Sequence, residues 1–386
     1  MRAFVGGRVL TPGQGVIEAG TVLVDGDRIV AVGATVAVPE GAEVVRCEGK
    51  WVTPGLIDAH SHLGVYGEPG VWANQDGNEL TSPVAPHLRG IDSLNPNDPA
   101  IAVARAAGVT TVCTGPGGYS IVAGTAVAIK LAGRTVEEMV LPGTETMKMA
   151  LGENPKKTYG EGKKQMPSTR MGSAAVLREA LVTAQNYLTR MDAAGSGGAS
   201  PERDLRWEAL GRLLRGEIKA RIHAHRADDI LTAIRVAEEF GFECSLQHAT
   251  EGYLIADILA AKGIACVVGP LLSEPSKMEL TKITLANPGR LARAGVKVAL
   301  MCDSSANTRW LPLHAGIAVR EGMPEEDAWR AITINAAEIL GVADRVGSLE
   351  AGKDADLVVW DGHPMHTMSR VERVLIGGRQ VHPGGD

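Results

Sequence analysis

Hydrophobic and polar positions change rhythm twice along the 386 residues. Residues 1–53 carry short alternating runs broken by turn residues: Ala3-Phe4-Val5, Arg8-Val9-Leu10, Thr21-Val22-Leu23-Val24 and Arg28-Ile29-Val30-Ala31-Val32. Alternation of this kind predicts half-buried strands. Asp25-Gly26-Asp27, between the last two runs, is a hairpin signal. A small antiparallel sheet follows, too thin to bury a core alone.

From Pro54 onward, apolar runs of strand length alternate with helical patterns. Eight strands are predicted, at 56–62, 110–114, 126–131, 146–151, 220–225, 243–248, 264–269 and 297–303. Several are continuously apolar, as in parallel strands buried on both faces. Helical periodicity is clear at 228–240, 251–261, 280–294 and 324–340 and weak between the second and fourth strands. The alternation predicts an α/β fold, a distorted (β/α)₈ TIM-type barrel over residues 54–345.

After Leu340 the texture reverts to strands at 355–360 and 373–376. They complete the N-terminal sheet most economically. A small β-sandwich domain would then be built from residues 1–53 and 346–386, with the barrel inserted. The Gly/Ser/Ala-rich stretch 192–204 has no apolar anchor and reads as a disordered insert rather than an ordered lid.

Composition narrows the function. Charged residues are 22% and hydrophobic residues 45%, ordinary for a soluble protein. Aromatics are only 4%, so Val, Leu, Ile and Ala must fill the core. The net charge of −6, with no basic cluster, argues against nucleic acid. No run suits a signal peptide or a membrane span. Five scattered cysteines without a CxxC read as free thiols in a reducing cytoplasm. The expected partner is a small-molecule substrate.

Chemistry concentrates at predicted strand ends. Pro54-Gly55-Leu56-Ile57-Asp58-Ala59-His60-Ser61-His62-Leu63-Gly64 is a strand running into a loop. Alternation puts Asp58, His60 and His62 on one face, with the imidazoles about 7 Å apart and able to converge on an ion. His223 and His225 end the fifth strand, His248 the sixth and Asp303 the eighth. Five of ten histidines thus fall where barrel enzymes keep their reacting groups. The other five, including His87 in a loop that could reach the site, read as surface or structural. Imidazoles plus a carboxylate make a catalytic metal site with an open position. Such an ion acidifies bound water and polarises a carbonyl. Asp303 can take that water's proton and pass it to a leaving nitrogen.

The chain resembles the amidohydrolase superfamily. The resemblance rests on Val24-Asp25-Gly26-Asp27-Arg28-Ile29, the Pro54–His62 stretch, and Ala107-Gly108-Val109-Thr110-Thr111. It extends to Ala331-Ile332-Thr333-Ile334-Asn335-Ala336-Ala337-Glu338-Ile339-Leu340-Gly341 and Gly347-Ser348-Leu349-Glu350-Ala351-Gly352-Lys353-Asp354-Ala355-Asp356-Leu357. It implies a distorted barrel, a flanking sandwich, homo-oligomers, and metal-activated hydrolysis of C–N and sometimes C–O or P–O bonds. His60, His62, His223, His248 and Asp303 match the ligand positions, and Asp303 also the general base. His225 lies beyond the usual ligand and is expected to face substrate or support a ligand. Lys148, in Met-Lys-Met-Ala-Leu-Gly, matches the lysine that some members carboxylate to bridge two ions. Desolvation there would favour the neutral amine that carboxylation needs. Glu153 is the rival bridge, and one ion alone is the other alternative. Zinc is the expected ion, with iron, manganese and cobalt compatible.

Gly115-Pro116-Gly117-Gly118-Tyr119-Ser120 should line the pocket, so Tyr119 is a substrate-binding candidate. Arg226 could clamp a substrate carboxylate, or pair with Asp228 or Asp229 instead. The imidazolonepropionase and dipeptidase-like branches are the most similar. Deamination of a small heterocycle on the same metal site is the first alternative, but deaminases of the superfamily place a glutamate shortly after the fifth-strand histidine, where this chain has Ala224, His225 and Arg226. Imidazolonepropionase proper has an acidic pair at His225 and Arg226. A catalytically silent scaffold is the alternative from another class, disfavoured by the complete ligand set.

Overall fold

The computed structural model describes residues 1–195 and 202–383. Its first strands are β1 (Arg2–Thr11), β2 (Gly15–Asp25), β3 (Arg28–Gly33), β4 (Glu43–Arg46) and β5 (Trp51–Pro54). Asp25 pairs with Arg28 across a two-residue loop in which Gly26 has φ +55°. That is the hairpin the Asp-Gly-Asp signal predicts.

Eight further strands follow: β6 (Leu56–Ser61), β7 (Val109–Thr114), β8 (Val122–Lys130), β9 (Thr146–Ala150), β10 (Lys219–Ala224), β11 (Cys244–His248), β12 (Cys266–Val268) and β13 (Val298–Leu300). They lie side by side in chain order as a second sheet. One expectation is corrected. β8 runs antiparallel to both neighbours, while the remaining pairs are parallel. Residues 115–121 separate β7 from β8, and a parallel crossover needs a dozen residues or more. The chain must therefore reverse there, which is why helical patterning is weak in this stretch.

The sheet almost closes. Between β13 and β6, amides beyond the end of β13 complete the seam: Asp303 N donates to His60 O at 3.2 Å, and Cys302 N to Asp58 Oδ2 at 3.2 Å. Asp58 is fully buried and also accepts from His60 N at 3.1 Å. It is a backbone clamp, although alternation grouped it with the histidines.

The helix Ala227–Phe240 shows how sequence sets an element. Asp228 and Asp229 sit in its first turn, where the helix dipole favours anions. Ile230, Ala233, Ile234 and Ala237 face inward at helical spacing, and Gly241 ends it at φ +73°. Elsewhere the helices are shorter than their patterns. The 324–340 pattern breaks into Glu325–Ala331 and Ile334–Leu340. Only Asn287–Arg293 and a turn at Met278–Leu280 form within or beside 280–294. The helix Arg170–Gly195 runs into the stretch read as a disordered insert, so 192–195 are helical. Residues 196–201 of that stretch lie outside the described residues.

The last strands are β14 (Leu357–Trp360), β15 (Val371–Ile376) and β16 (Arg379–His382). β14 pairs antiparallel with β5, placing Trp360 opposite Trp51. Both ends of the chain thus share one sheet, in the order β16-β15-β14-β5-β1-β2-β3. β1 branches it, pairing with β4 from Arg2 opposite Glu43 to Val5 opposite Arg46, and with β5 at Arg8 and Val9. The hydrogen bonding joins these strands in one branched sheet. Phe4, Val9, Ile29, Val52 and Leu357 form its core. The five cysteines are free. Among the described residues no helix is long and apolar enough to cross a membrane.

Candidate metal centre

The ends of β6, β10, β11 and β13 bring five histidines and one aspartate together. Asp303 Oδ1 lies 3.0 Å from His60 Nε2 and 3.3 Å from His62 Nε2. Asp303 Oδ2 lies 4.0 Å from His248 Nε2. His223 and His248 have ring centroids 4.3 Å apart, and His225 stands 4.4 Å from His248. Two groups emerge, His60–His62–Asp303 and His223–His225–His248, each with ligand atoms within 4.8 Å of one another. All five imidazoles are buried.

Local backbone geometry aims these groups. His248 has φ +70° and Asp303 φ +50°, a left-handed conformation that is costly for residues other than glycine. Both stand just where a strand ends, so the strained turn swings the side chain into the centre. Gly118 lies against His223, and a Cβ there would come within 2.8 Å of Nδ1. The glycine-rich loop after β7 is therefore glycine partly to admit that imidazole.

Electrostatics favour neutral donors. Burial lowers His60, His223 and His225 well below the ordinary histidine value, and His248 to about 4. Burial alone would raise Asp303, but His248, His60 and His62 override it and hold the carboxyl well below its usual range. His62 Nδ1 bonds Gly115 O at 2.9 Å and His248 Nδ1 bonds Gly269 O at 2.9 Å. A carbonyl can only accept, so in each ring Nδ1 carries a proton and Nε2 is the nitrogen that faces the centre. The Nε2 atoms of His223 and His225 are buried without a hydrogen-bond partner among the described residues. Neutral imidazoles, orphaned nitrogens and an ionised carboxylate fit a divalent cation.

Lys148 is buried on β9 with Nζ 3.2 Å from His60 Nε2. Burial lowers its pKa to about 7, opposed by Asp303 and helped by Arg221. Glu153, the rival bridge, falls in neither ligand group. It lines the cavity wall, locked to the loop after β12: Glu153 N donates to Glu279 Oε2 at 2.8 Å, and Glu279 N to Glu153 Oε2 at 3.3 Å.

A cavity of 1270 Å³ opens over the histidines, with Tyr119 on its wall. Arg226 is not brought there. Its guanidinium is turned out and bonds Asp228 at 2.9 and 2.8 Å. Alternation through the end of β10 and just beyond it sends His223 and His225 inward and Arg226 outward. His87 lines a separate groove beside Tyr187 and Arg212.

Sequence reasoning missed three neighbours. Arg221 is buried beneath the centre, its Nη2 donating to Ala59 O and to Gln247 Oε1 and standing 3.2 Å from His60 Nδ1. Its signal was strand parity, since 221, 223 and 225 alternate onto one face. Lys277, on the cavity wall, pairs at 2.8 Å with Glu279, which is buried behind it. They come from the loop after β12, which carries no motif.

The family model of the amidohydrolase family matches residues 51–381. An amidohydrolase crystal structure from Thermotoga maritima MSB8 superposes with a TM-score of 0.95, at 45% identity over 99% of both chains. Amidohydrolase tasK of Hapsidospora irregularis is 32% identical over 88% of this chain, which spans only 37% of that protein. An imidazolonepropionase of Mesorhizobium japonicum is 26% identical over 90% of this chain and 88% of its own length. With a family match over most of its length and a close structural relative over nearly all of it, the chain belongs to the amidohydrolase family.

Proposed function

We propose that the chain is a metal-dependent hydrolase of C–N bonds in a small molecule, acting on an amide, cyclic amide or dipeptide-like linkage. The observation that carries the reading is the meeting of two histidine groups across Asp303, with Lys148 beside His60. Zinc is the ion assigned first, on the chemistry of histidine and carboxylate donors. His60, His62, His223, His248 and Asp303 would hold one or two ions, with Lys148 as the bridge once carboxylated. The barrel, residues 54–345, is read as the catalytic unit, carried by residues 1–53 and 346–386.

When bound, a divalent ion supplies acidified water and a polarised scissile carbonyl. The residues do the rest. Asp303 Oδ2, on the side facing His248, accepts the proton of the attacking water and returns it to the departing nitrogen. The walls at Tyr119 and Glu153 enclose the substrate and hold it over the strand ends.

The test is metal content per chain by elemental analysis, in wild type and Lys148→Ala, with a screen of dipeptides, N-acyl amino acids and cyclic amides. The expected result is two equivalents in wild type, fewer in the variant, and hydrolysis of at least one class. Wild-type protein without metal and without hydrolysis overturns the reading.

A further inference from the structure

The geometry points to His225 as a third imidazole ligand, so that one ion is held by His223, His225 and His248. This rests on the metal-dependent reading above and goes beyond it. The family resemblance implies only one histidine ligand from the fifth strand, and assigns His225 to substrate or support.

Four observations carry the assignment. His225 Nε2 is buried and has no hydrogen-bond partner among the described residues, as has His223 Nε2. A buried nitrogen left this way is costly unless something occupies it. One ring nitrogen each from His223, His225 and His248 falls within 4.8 Å of the others, close enough for a shared ion. His225 Nδ1 is fastened to Thr250 Oγ1 at 2.7 Å. With Nδ1 donating to the hydroxyl, it is held as His62 is on Gly115 O and His248 on Gly269 O. A metal-binding histidine characteristically has its outer nitrogen held by an oxygen, which fixes the ring and frees the inner nitrogen.

The fourth observation concerns the rival partner. Glu279 Oε1 is 3.6 Å from His225 Nε2, too far for a hydrogen bond. Lys277 Nζ stands 2.8 Å from that oxygen as its ion-pair partner, without hydrogen-bond geometry. Glu279 Oε2 accepts from Glu153 N. Glu279 thus fastens two loops and leaves the imidazole uncommitted. The backbone of His225 is fixed as well, its carbonyl accepting from Glu251 N at 2.8 Å.

A three-imidazole ion has a consequence for the chain. It does not depend on Lys148, so it should survive loss of the lysine. The ion at His60, His62 and Asp303 should be the one that Lys148 supports.

The experiment titrates Zn²⁺ against a chromogenic chelator in metal-stripped wild type, His225→Ala, Thr250→Val and Lys148→Ala. Co²⁺-loaded protein gives the visible spectrum, and circular dichroism checks folding. Expected is a fall of at least about 10-fold in affinity for one of two Zn²⁺ in His225→Ala, with a changed Co²⁺ band. Thr250→Val should show a smaller fall of the same kind, which keeps the test valid if His225→Ala does not fold. Lys148→Ala should keep one tight Zn²⁺. Undiminished affinity for both ions in His225→Ala, or in Thr250→Val when the first is unfolded, overturns the assignment alone. Wild type that binds no Zn²⁺ overturns the metal reading and the assignment with it.

Discussion

Lys130 Nζ stands 2.7 Å from Asp354 Oδ2 and so fastens the barrel to the sheet shared by the two ends of the chain. Lys130 closes β8, and Asp354 precedes β14. The same ammonium reaches Asp356 at 2.9 Å. Both carboxylates are buried, and Lys130 is only 12% exposed. Removing one partner from such a cluster leaves charge stranded in a low dielectric, which is worse than never having buried it. Lys130→Met should therefore destabilise the protein by about 3 to 5 kcal/mol, read as a lowered urea midpoint. A loss below about 1 kcal/mol would place this cluster with surface pairs.

The same cluster sets an acid limit. Burial alone would raise Asp354, but Lys130, Arg345 and Arg28 override it and lower its pKa. A carboxylate lowered on folding contributes stability above its unfolded value, about 3.9. That contribution disappears as pH falls through the lower folded value. Wild type should lose stability more steeply below pH 4 than Asp354→Asn does. Superimposable pH profiles in urea melts of the two proteins would sink this account.

Much of the architecture is legible because it depends on local period. The eight barrel strands follow from short apolar runs set between helical patterns, and the β2–β3 hairpin from alternation and turn residues. The histidines at 60, 62, 223 and 248 and Asp303 were found because strand ends converge in any barrel. The reversal of β8 was legible only as missing helix pattern between β7 and β9. Residues acting through tertiary contact left less trace. Glu279 and Lys277 lie in a loop without periodicity, so nothing near them in sequence points at the cavity. Arg226 is the opposite case: parity with His223 and His225 puts it on the outer side, and its partner Asp228 lies two residues along the chain.

Arg226 provides a negative control. It is ion-paired with Asp228, and both side chains are about half exposed. Exposed pairs are worth about 0 to 1 kcal/mol and are screened by salt. Arg226→Ala should change stability by less than about 1 kcal/mol and leave metal content at the wild-type level. A large rise in KM for an acidic substrate, with KM for its neutral amide unchanged, would return Arg226 to the binding site.

Asp58 is the sharper case, because it looks like a ligand in sequence and behaves as a fastener in structure. Burial pushes its carboxyl up to about 7, with the amides of His60 and Cys302 pulling the other way. Its two oxygens accept from His60 N on β6 and Cys302 N after β13. These are the backbone positions of, or next to, His60 and Asp303. Asp58→Ala strands both amides inside the barrel, where an unmet donor costs about 1 to 3 kcal/mol. The variant should lose about 2 to 6 kcal/mol of stability, following that cost for two donors. Of the two ions proposed above, it should lose affinity for the one at His60, His62 and Asp303 and keep the one at His223, His225 and His248. Asp58→Asn keeps an acceptor and should recover most of the stability. If Asp58→Ala bound both Zn²⁺ as tightly as wild type, the seam would not be what aligns Asp303 with His60.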